Sequence, residues 1–493
     1  MAGIYENGQG ADGANSGTPQ LGRIFEHGYP GGPANGFGSE YPNPFLKQHI
    51  VYANRDVPNI RELAVYRQHG GYEVAQRVLT TMQPQAVVDE VKKSGLRGRG
   101  GAGFPTGVKW GFIPKDIFPK YLVCNADESE PGTFNNHEII DLNPHQLIEG
   151  MIISGFAFGA TAGYIYIRGE YAYGARVLEQ AIAEAYAAKL LGKQLWGTTV
   201  DFDLYVHRGA GAYICGEETA LLESLEGKIG QPRAKPPFPA VAGLYAKPTV
   251  INNVETLTNV PRIMQHGADW YRSFGTEKSP GTKAISISGH VKRPGNYEVP
   301  LGITVRQFIY DVAGGIRDGH ELKFIVPGGA SSPWLINKPE HLDVLLTWDD
   351  MAAAGSMLGS GAMIVLDETT CVVAASMKID EFFKHESCGK CTPCREGTHF
   401  LTKVWERIEH GHGRMSDIPL LDDLGKQMSG GKCFCLLGPS AVAPVTSALK
   451  FFSDEIRQHI ELGRCPLGYN HPPVAAHAVE GGVHTGATSV LAR

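Results

Sequence analysis

The chain has 493 residues, more than one hydrophobic core usually holds, so its length predicts two to four domains. Its composition, 42% hydrophobic and 19% charged residues, is that of a folded globular protein and excludes general disorder. The formal net charge of −6 argues against nucleic acid or an anionic membrane as the main partner.

The first 45 residues are rich in glycine, asparagine and proline, and we expect them to form a flexible tail. They contain no apolar stretch after a basic start, so a secretory signal peptide is not expected. The longest uncharged stretch, Met151–Ile167, is broken by glycine and serine and is shorter than the roughly 20 apolar residues of a spanning helix. We therefore expect a soluble chain without direct membrane insertion.

Residues 46–275 alternate predicted helices and strands. The predicted strands are Tyr121–Asn125, Tyr164–Ile167 and Phe202–Val206. The predicted helices are Pro84–Ser94, Pro144–Gly159, Ala175–Leu191 and Glu217–Glu226. This alternation is typical of an α/β domain with a mostly parallel sheet covered by helices.

A glycine-rich loop, Gly98–Gly103, satisfies G-x-G-x-x-G, but a predicted helix precedes it where a dinucleotide fingerprint requires a strand. A surface loop would explain the glycines alone. Nearby cations and rings favour a nucleotide or flavin site, because bare backbone N–H groups with cations suit a phosphate and exposed rings suit a heterocycle. These neighbours are Arg97, Arg99, Lys109, Phe104, Trp110 and Phe112.

Three further loops carry polar groups. Asn125–Gly132 directly follows a predicted strand, where ligands of open α/β sheets bind, although a solvated acidic turn is the alternative. In His207–Ala220, Glu217 and Glu218 suit either the dipole of a helix start or ribose hydroxyls. The amide side chains of Thr249–Thr256 are helix caps or ligands.

From about residue 280 the pattern changes to a small α+β module. Its predicted elements are strands at Ala284–Gly289, Gly295–Val299 and Leu322–Val326 and a helix at Val305–Ala313. From Lys378 onward helices dominate, and after Cys465 a tail without periodicity is expected to be unfolded. No internal repeat is present.

The strongest chemical signal is the C-x₂-C-x₂-C run of Cys388, Cys391 and Cys394, which begins the ferredoxin spacing but lacks a close fourth cysteine. Cys433 or Cys435 is the candidate for that ligand. In an extended segment these two thiols would face opposite ways, so only one could reach the cluster. One iron–sulfur cluster is expected, with zinc or a C-x-x-C dithiol as alternatives. The isolated cysteines are expected to be buried thiols: Cys124, Cys215, Cys371 and Cys465.

Taken together, four segments resemble the NADH-binding FMN flavoprotein subunit of bacterial respiratory complex I: Gly95–Trp110, Asn125–Thr133, Gly211–Ala220 and Ser387–Gly397. The resemblance runs in order from about residue 60 to 465. It implies a Rossmann-like domain for FMN and NADH (46–275), a ubiquitin-like, soluble-ligand-binding type module (276–370) and a helical bundle with one 4Fe-4S cluster (371–465), flanked by tails at 1–45 and 466–493.

The resemblance also implies the site residues. The flavin contacts would be Gly98, Arg99, Gly100, Gly101, Lys109, Asn125, Asp127, Glu128, Ser129, Tyr213, Gly216, Glu217, Asn252, Asn253 and Thr256. NADH would stack on Phe104, Phe112 and Phe238 and make polar contacts with Glu130 and Glu218. The cluster ligands would be Cys388, Cys391, Cys394 and Cys435.

The implied activity is that of NADH:quinone oxidoreductase, in which FMN accepts a hydride from NADH and single electrons pass to the cluster and on toward quinone. No side chain need act as general acid or base. The implied partners are the thioredoxin-like 2Fe-2S subunit and the large iron–sulfur subunit of complex I, on the cytoplasmic peripheral arm at the cell membrane. The alternatives are the diaphorase subunit of a hydrogenase or formate dehydrogenase, and a zinc-bearing nucleotide-binding subunit without redox activity.

Overall fold

The computed structural model describes residues 43–468. The predicted tails at 1–45 and 466–493 lie outside this range except for 43–45 and 466–468. Within it, no helix is long and apolar enough to cross a membrane.

The first layer is a four-stranded, all-parallel sheet in the order β3-β2-β1-β4. Its strands are β1 (Tyr121–Ala126), β2 (Ala162–Ile167), β3 (Asp203–Arg208) and β4 (Thr249–Asn253). β1 pairs with β2 on one side and with β4 on the other, so the strand order reverses at β1. Open α/β sheets bind ligands at such a switch point, beyond the carboxyl ends of the strands.

Helices cover both faces of this sheet. They are α1 (Leu63–Gln68), α2 (Glu73–Thr81), α3 (Pro84–Ser94), α4 (Thr106–Trp110), α5 (Asn135–Leu142), α6 (Pro144–Phe158), α7 (Ala172–Ala187), α8 (Glu218–Leu225), α9 (Pro239–Ala242), α10 (Val254–His266) and α11 (Ala268–Arg272), with 3₁₀ turns at Leu195–Gly197, Tyr213–Gly216 and Leu244–Ala246. α6 is buried along its whole length, and its polar side chains are hydrogen-bonded inside the protein: Glu149 accepts from the hydroxyl of Tyr66, and Gln146 donates to the carbonyl of Thr258. Asn143 caps its start and Gly159, at φ +79°, ends it.

The second sheet has the order β6-β5-β9-β7-β8 and mixes parallel and antiparallel pairs. Its strands are β5 (Thr282–Gly289), β6 (Gly295–Pro300), β7 (Leu322–Val326), β8 (Leu335–Ile336) and β9 (Ala362–Asp367), and its helices are α12 (Val305–Gln307), α13 (Pro339–Leu342) and α14 (Trp348–Ala353). The helix predicted at Val305–Ala313 is instead α12 followed by a π turn at Phe308–Val312. Thr304 starts it with a capping box, and the N–H of Ala313 closes the wider turn on the carbonyl of Phe308.

The C-terminal part is a bundle of four helices: α15 (Val372–Glu386), α16 (Thr392–Glu409), α17 (Asp417–Met428) and α18 (Leu437–Leu462). Leu401 and Trp405 of α16 lie in its core. The same apolar cluster contains Val123 of β1 and Ile251 of β4. The bundle and the parallel sheet therefore belong to one continuous apolar cluster, and the architecture is the expected α/β fold with a small module and a helical bundle.

A buried carboxylate joins the small module to the start of the described residues. Glu298 of β6, which has no exposed surface, accepts backbone hydrogen bonds from Ile50 (2.9 Å), Val51 (2.9 Å) and Tyr52 (3.0 Å). Burial alone would raise its pKa, but bonds from His49, Thr282 and these N–H groups lower the pKa to about 2. Glu298 is therefore held as a carboxylate.

Candidate functional site

A cavity of about 310 Å³ lies beyond the carboxyl ends of the parallel strands. The glycine-rich loop, the acidic loop after β1, the turn after β3 and the start of α18 form its walls. The lining residues are Arg99, Gly100, Asn125, Asp127, Glu128, Ser129, Glu130, Thr133, Asn136, Tyr213, Ile214, Gly216, Glu217, Asn253, Ser360, Cys435, Leu436, Leu437 and Ser440. The strand reversal at β1 thus opens into a polar pocket of ligand size.

Asp127 presents an unsatisfied oxygen in this wall. Ser129 donates a hydrogen bond of 3.2 Å to Oδ2 of Asp127, whereas Oδ1 is buried without a hydrogen-bond partner among residues 43–468. Burial raises the pKa of Asp127 to about 7, although Arg168 opposes this shift. A buried acceptor without a donor is unfavourable, so the arrangement fits a ligand that brings hydroxyl donors.

Two neighbouring carboxylates are already engaged. Glu128 accepts hydrogen bonds from the N–H groups of Asn136 (2.6 Å) and His137 (3.0 Å) and so caps the start of α5. Glu130 accepts from the phenol of Tyr213 at 2.7 Å and from the N–H of Ser331 at 2.8 Å, and burial raises its pKa. Both acids fix the shape of the wall.

The glycine-rich loop lies on the N-terminus of α10. A Cβ added to Gly100 would lie 2.9 Å from Cβ of Asn253, so only glycine fits this approach without displacement. The N–H of Arg99 donates to the hydroxyl of Thr256 at 2.8 Å, and Asn253 caps α10 through the N–H of Glu255. The positive end of the helix dipole therefore faces the loop at the cavity wall, which is favourable for an anion.

The guanidinium of Arg99 has a structural role. It is 1% exposed and donates to the hydroxyl of Tyr271 (2.7 Å) and to the carbonyls of Thr282 (3.1 Å), Pro280 (3.1 Å) and Arg97 (2.9 Å). Its charge is used inside the protein to hold the loop against β5.

Several charged side chains lie together at the start of α8. Lys235 donates to Glu217 at 2.8 Å and to Glu218 at 3.0 Å, and Lys109 lies 3.3 Å from Glu218. Burial would raise the pKa of Glu218, but Lys109 and Lys235 hold it below its ordinary value. Glu217 also accepts from the N–H groups of Thr219 and Ala220 and caps α8.

The three predicted stacking rings are unusually exposed. Phe104, Phe112 and Phe238 expose 47%, 57% and 58% of their surface. The rings of Phe104 and Phe112 lie 6.1 Å apart at a tilt of 47°. Exposed rings beside a polar cavity offer the apolar surface that a flat base covers.

Not every predicted contact lines the cavity. Predicted residues outside its wall are Gly98, Gly101, Phe104, Lys109, Phe112, Glu218, Phe238, Asn252 and Thr256. The amide of Asn252 accepts from the indole N–H of Trp110 at 2.9 Å, so it holds α4. Sequence reasoning missed Thr133, Asn136, Ile214, Ser360, Leu436, Leu437 and Ser440.

A second, smaller cavity is lined by four cysteines: Cys388, Cys391, Cys394 and Cys435. Cys391 is the N-cap of α16 and Cys394 lies in the first turn, so the helix start carries two thiols toward one point. Gln231 donates to the carbonyl of Cys388 at 3.0 Å and fixes the backbone that carries the first thiol. Four sulfur donors around one small cavity fit a 4Fe-4S cluster.

Cys433 lies close to the same group. Residues 433–435 form a bend, so the expectation of an extended segment is wrong. Burial, with the thiols of Cys391 and Cys394, raises the pKa of Cys433 to about 12. The sulfur of Cys433 packs where a Cβ on Gly438 would stand, and it does not line the cavity.

The two cavities share a wall. Ile214, Cys435 and Leu437 line both of them. A group bound in the larger cavity is therefore separated from one in the thiol cavity by no more than these side chains. This juxtaposition suits electron transfer, which weakens steeply with distance.

Three family models match this protein. The Nuo51 FMN-binding domain matches residues 91–262, the SLBB domain matches residues 285–331, and the NADH-ubiquinone oxidoreductase-F iron-sulfur binding region matches residues 374–459.

Curated relatives are similar over most of their length. The F subunit of NADH-quinone oxidoreductase from Mycobacterium tuberculosis H37Rv is 54% identical over 439 residues, covering 87% of this chain and 98% of the relative. The proteins of the same name from Streptomyces coelicolor and Escherichia coli K12 are 55% and 48% identical, covering 82% and 80% of this chain and 89% of each relative.

Among solved structures, an NAD⁺-reducing [NiFe]-hydrogenase in the air-oxidised state contains a similar polypeptide. The TM-score is 0.70 at 37% identity, and the match covers 79% of this chain. The match spans only 65% of the hydrogenase polypeptide's length.

Proposed function

Because this chain belongs to the family of NADH-quinone oxidoreductase F subunits, we propose which of its residues hold the cofactors and the dinucleotide. The protein is the subunit of complex I that oxidises NADH, and it binds FMN and a 4Fe-4S cluster. When bound, FMN supplies hydride acceptance from NADH and one-electron release, and the cluster supplies the next one-electron acceptor toward quinone.

The shared wall of the two cavities carries this proposal. Ile214, Cys435 and Leu437 bring the flavin pocket to within one layer of side chains of the thiols. The protein's own contribution is to bind, orient and shield these groups, and no side chain need hold a proton for the hydride step.

We assign the polar wall to the ribityl chain and ring of FMN. Asp127 accepts from ribityl hydroxyls through Oδ1, which has no other partner among the described residues. Asn125, Ser129 and Gly216 line the same wall. Asn125 also donates to the carbonyl of Gly216 at 2.9 Å, which keeps the loop after β1 against the turn after β3.

We assign the phosphate of FMN to the glycine-rich loop and the start of α10. Backbone N–H groups near Gly100 and the helix dipole at Asn253 supply positive potential there. Thr256 and Arg99 hold the glycine-rich loop in place. These two predicted contacts therefore position the loop that binds the phosphate.

We assign the adenosine half of NADH to the exposed rings. Phe104, Phe112 and Phe238 offer apolar faces, and Glu218 is held nearby by Lys109 and Lys235. Base–aromatic stacking contributes about 1–3 kcal/mol in comparable sites. Glu130 lies deeper, in the wall of the flavin cavity, and suits the nicotinamide half.

We assign the cluster to Cys388, Cys391, Cys394 and Cys435. The assignment is supported by their common cavity and by the N-terminus of α16, whose dipole favours an anionic centre.

We further propose three functional units: 46–275 for FMN and NADH, 276–370 as the small module and 371–465 as the cluster bundle. Beside the thiols, Phe434 and Leu436 expose 43% and 79% of their surface. Apolar side chains exposed next to a redox centre suit docking of the thioredoxin-like 2Fe-2S subunit and the large iron–sulfur subunit. Such docking would put the protein on the cytoplasmic, peripheral arm of the membrane-bound complex.

Purification of the intact assembly through a tag on this protein tests the function. We expect a yellow-brown complex with FMN, iron and NADH–quinone activity, together with the two iron–sulfur subunits. A nickel-containing assembly that reduces NAD⁺ with hydrogen would support the diaphorase alternative and overturn the proposal. A colourless zinc protein without flavin would overturn both.

A further inference from the structure

A second group of metal-ligating side chains lies inside the helical bundle. It contains Cys371 at the N-cap of α15, Glu409 at the end of α16, His459 near the end of α18 and Cys465 just beyond α18. Their exposed fractions are 2%, 6%, 0% and 2%. Distant chain positions thus bring two thiols and an imidazole to one buried point, and the carboxylate of Glu409 lies beside Cys371 and His459.

Two thiols and an imidazole lie close together, and a carboxylate approaches two of these three groups. Sγ of Cys371 lies 3.3 Å from Nε2 of His459, and the ligand atoms of Cys371, His459 and Cys465 all lie within 4.8 Å of one another. Oε2 of Glu409 lies 3.6 Å from Nε2 of His459 and 3.9 Å from Sγ of Cys371. Tetrahedral zinc with bonds of about 2.0–2.3 Å separates its ligand atoms by roughly 3.3–3.8 Å, so the Cys371–His459 pair already has this spacing and the other ligand atoms would close in on binding.

This group is separate from the iron–sulfur thiols. Cys391 precedes α16 and Glu409 ends it, and an 18-residue helix is about 27 Å long. The four sulfur ligands assigned to the cluster are therefore at the opposite end of the bundle.

The donor set selects the metal. Two soft thiolates and a borderline imidazole favour zinc, a borderline-soft ion that also accepts one carboxylate, over magnesium or calcium, which prefer oxygen ligands throughout. The N–H of Ala374 donates to the sulfur of Cys371 at 3.4 Å and holds that sulfur at the start of α15.

The other mixed group among residues 43–468 is a weaker candidate. It comprises His320, Asp367 and Glu368, of which only Asp367 is buried. Arg317 and His290 already pair with Asp367, so its charge is compensated by protein groups. Ion pairs with these protein groups explain the group without a metal.

We propose that Cys371, His459 and Cys465, with Glu409 as the fourth ligand, bind one structural zinc ion. The ion ties the start of α15 to the ends of α16 and α18 and fixes the segment that follows α18. Binding releases the two thiol protons, so affinity rises with pH. The site takes no part in electron transfer, because zinc has no accessible redox change.

The test measures zinc and iron per FMN in the purified complex, after incubation with Zn²⁺ and desalting. Cys465→Ser and His459→Gln are compared with the unaltered protein and with Cys124→Ala, which removes an equally buried thiol elsewhere. We expect each ligand variant to contain one zinc fewer per FMN at unchanged iron, and the control to keep it. X-ray absorption at the zinc edge of the unaltered complex should give two sulfur neighbours at about 2.3 Å and two nitrogen or oxygen neighbours at about 2.0–2.2 Å.

Three results would overturn the proposal. The first is an unaltered complex without zinc after incubation. The second is equal zinc content in the ligand variants and the control. The third is a disulfide between Cys371 and Cys465, found by mass spectrometry after alkylation. If a ligand variant fails to fold, the absorption spectrum of the unaltered complex still decides, because a zinc shell without two sulfurs contradicts this ligand set.

Discussion

Lys235 donates a hydrogen bond of 3.0 Å to the carboxylate of Glu218, so the acid assigned to the adenosine ribose is already neutralised from one side. The ammonium group of Lys109 lies 3.3 Å from the other oxygen of the same carboxylate. The charge that repels a 2′-phosphate is therefore partly balanced, and the two ammonium groups would attract that phosphate once the carboxylate is gone.

Glu218→Gln is expected to raise the kcat/KM ratio of NADPH to NADH by about tenfold, which corresponds to about 1.4 kcal/mol. The reason is that Lys109 and Lys235 become free to bind the 2′-phosphate. Combining the change with Lys235→Ala should reverse most of the gain. An unchanged ratio in Glu218→Gln would remove this residue from cofactor selection.

Phe238→Ala is expected to raise the KM for NADH roughly five- to 150-fold with FMN retained, because one stacking face is lost. Phe400→Ala is a suitable control, since Phe400 on α16 is similarly exposed. Steady-state kinetics and flavin content should be measured together. Loss of FMN at an unchanged KM would assign Phe238 to folding instead.

Asp127→Asn is expected to weaken FMN binding to the apoprotein and to remove part of its pH dependence. Burial raises the pKa of Asp127 to about 7, and a hydroxyl donor from FMN favours the ionised form. In the unaltered protein affinity should therefore fall as pH drops through 7, by at most about tenfold per unit. Flavin fluorescence titration between pH 6 and 8 measures the FMN affinity of the unaltered protein and of Asp127→Asn. The same pH dependence in both proteins would refute a contact between Asp127 and a hydroxyl of FMN.

Cys435→Ser is expected to abolish or strongly alter the 4Fe-4S signal in electron paramagnetic resonance, and Cys433→Ser to keep it. Cys435 lines the thiol cavity, whereas Cys433 packs against Gly438. NADH oxidation with an artificial acceptor should survive Cys435→Ser, because the flavin precedes the cluster. A signal that is lost in Cys433→Ser and kept in Cys435→Ser would make Cys433 the fourth ligand instead. The double variant shows whether Cys433 can replace Cys435 as a ligand.

Glu298→Gln is expected to destabilise the apoprotein at pH 7 and to flatten its acid dependence. The folded pKa of about 2 lies below the ordinary value near 4.3, so the stabilisation is present above pH 4.3 and is lost as pH falls toward 2. The shift corresponds to roughly 3 kcal/mol. Urea unfolding from pH 7 to 3 measures it, with the exposed Glu340→Gln as control. Equal slopes in both variants would contradict the assignment.

The sequence predicted the elements that local patterns determine. β1 and β2 are buried apolar strands and α6 is an apolar helix with a clear cap and end, so their positions differ little from prediction. β4 was not predicted as a strand because Asn252 and Asn253 were interpreted as helix caps or ligands. Thr249, Val250 and Ile251 are residue types favoured in strands, and pairing with β1 makes this short segment a strand.

In the candidate site, too, the sequence predicted the residues that lie in local motifs and missed those that tertiary packing brings in. Motif residues such as Asp127 and Cys435 could be named because each lies in a distinctive segment. Ser360 could not be named, since it reaches the cavity from the turn before β9. Cys371 and Cys465 are buried as expected, but the proximity of Cys371 to His459 and Cys465 depends on the packing of two helices that are distant in sequence.

The contact between Tyr52 and Glu298 also constrains how the protein is made. The two residues are 246 positions apart. At about 5–20 residues per second of synthesis, Glu298 is joined to the growing polypeptide roughly 12–50 s after Tyr52. Throughout that interval the N–H groups of Ile50, Val51 and Tyr52 have no carboxylate to bind. A nascent polypeptide halted before β6 therefore leaves its first segment undocked on the ribosome, a target for chaperones and proteases until the small module has emerged.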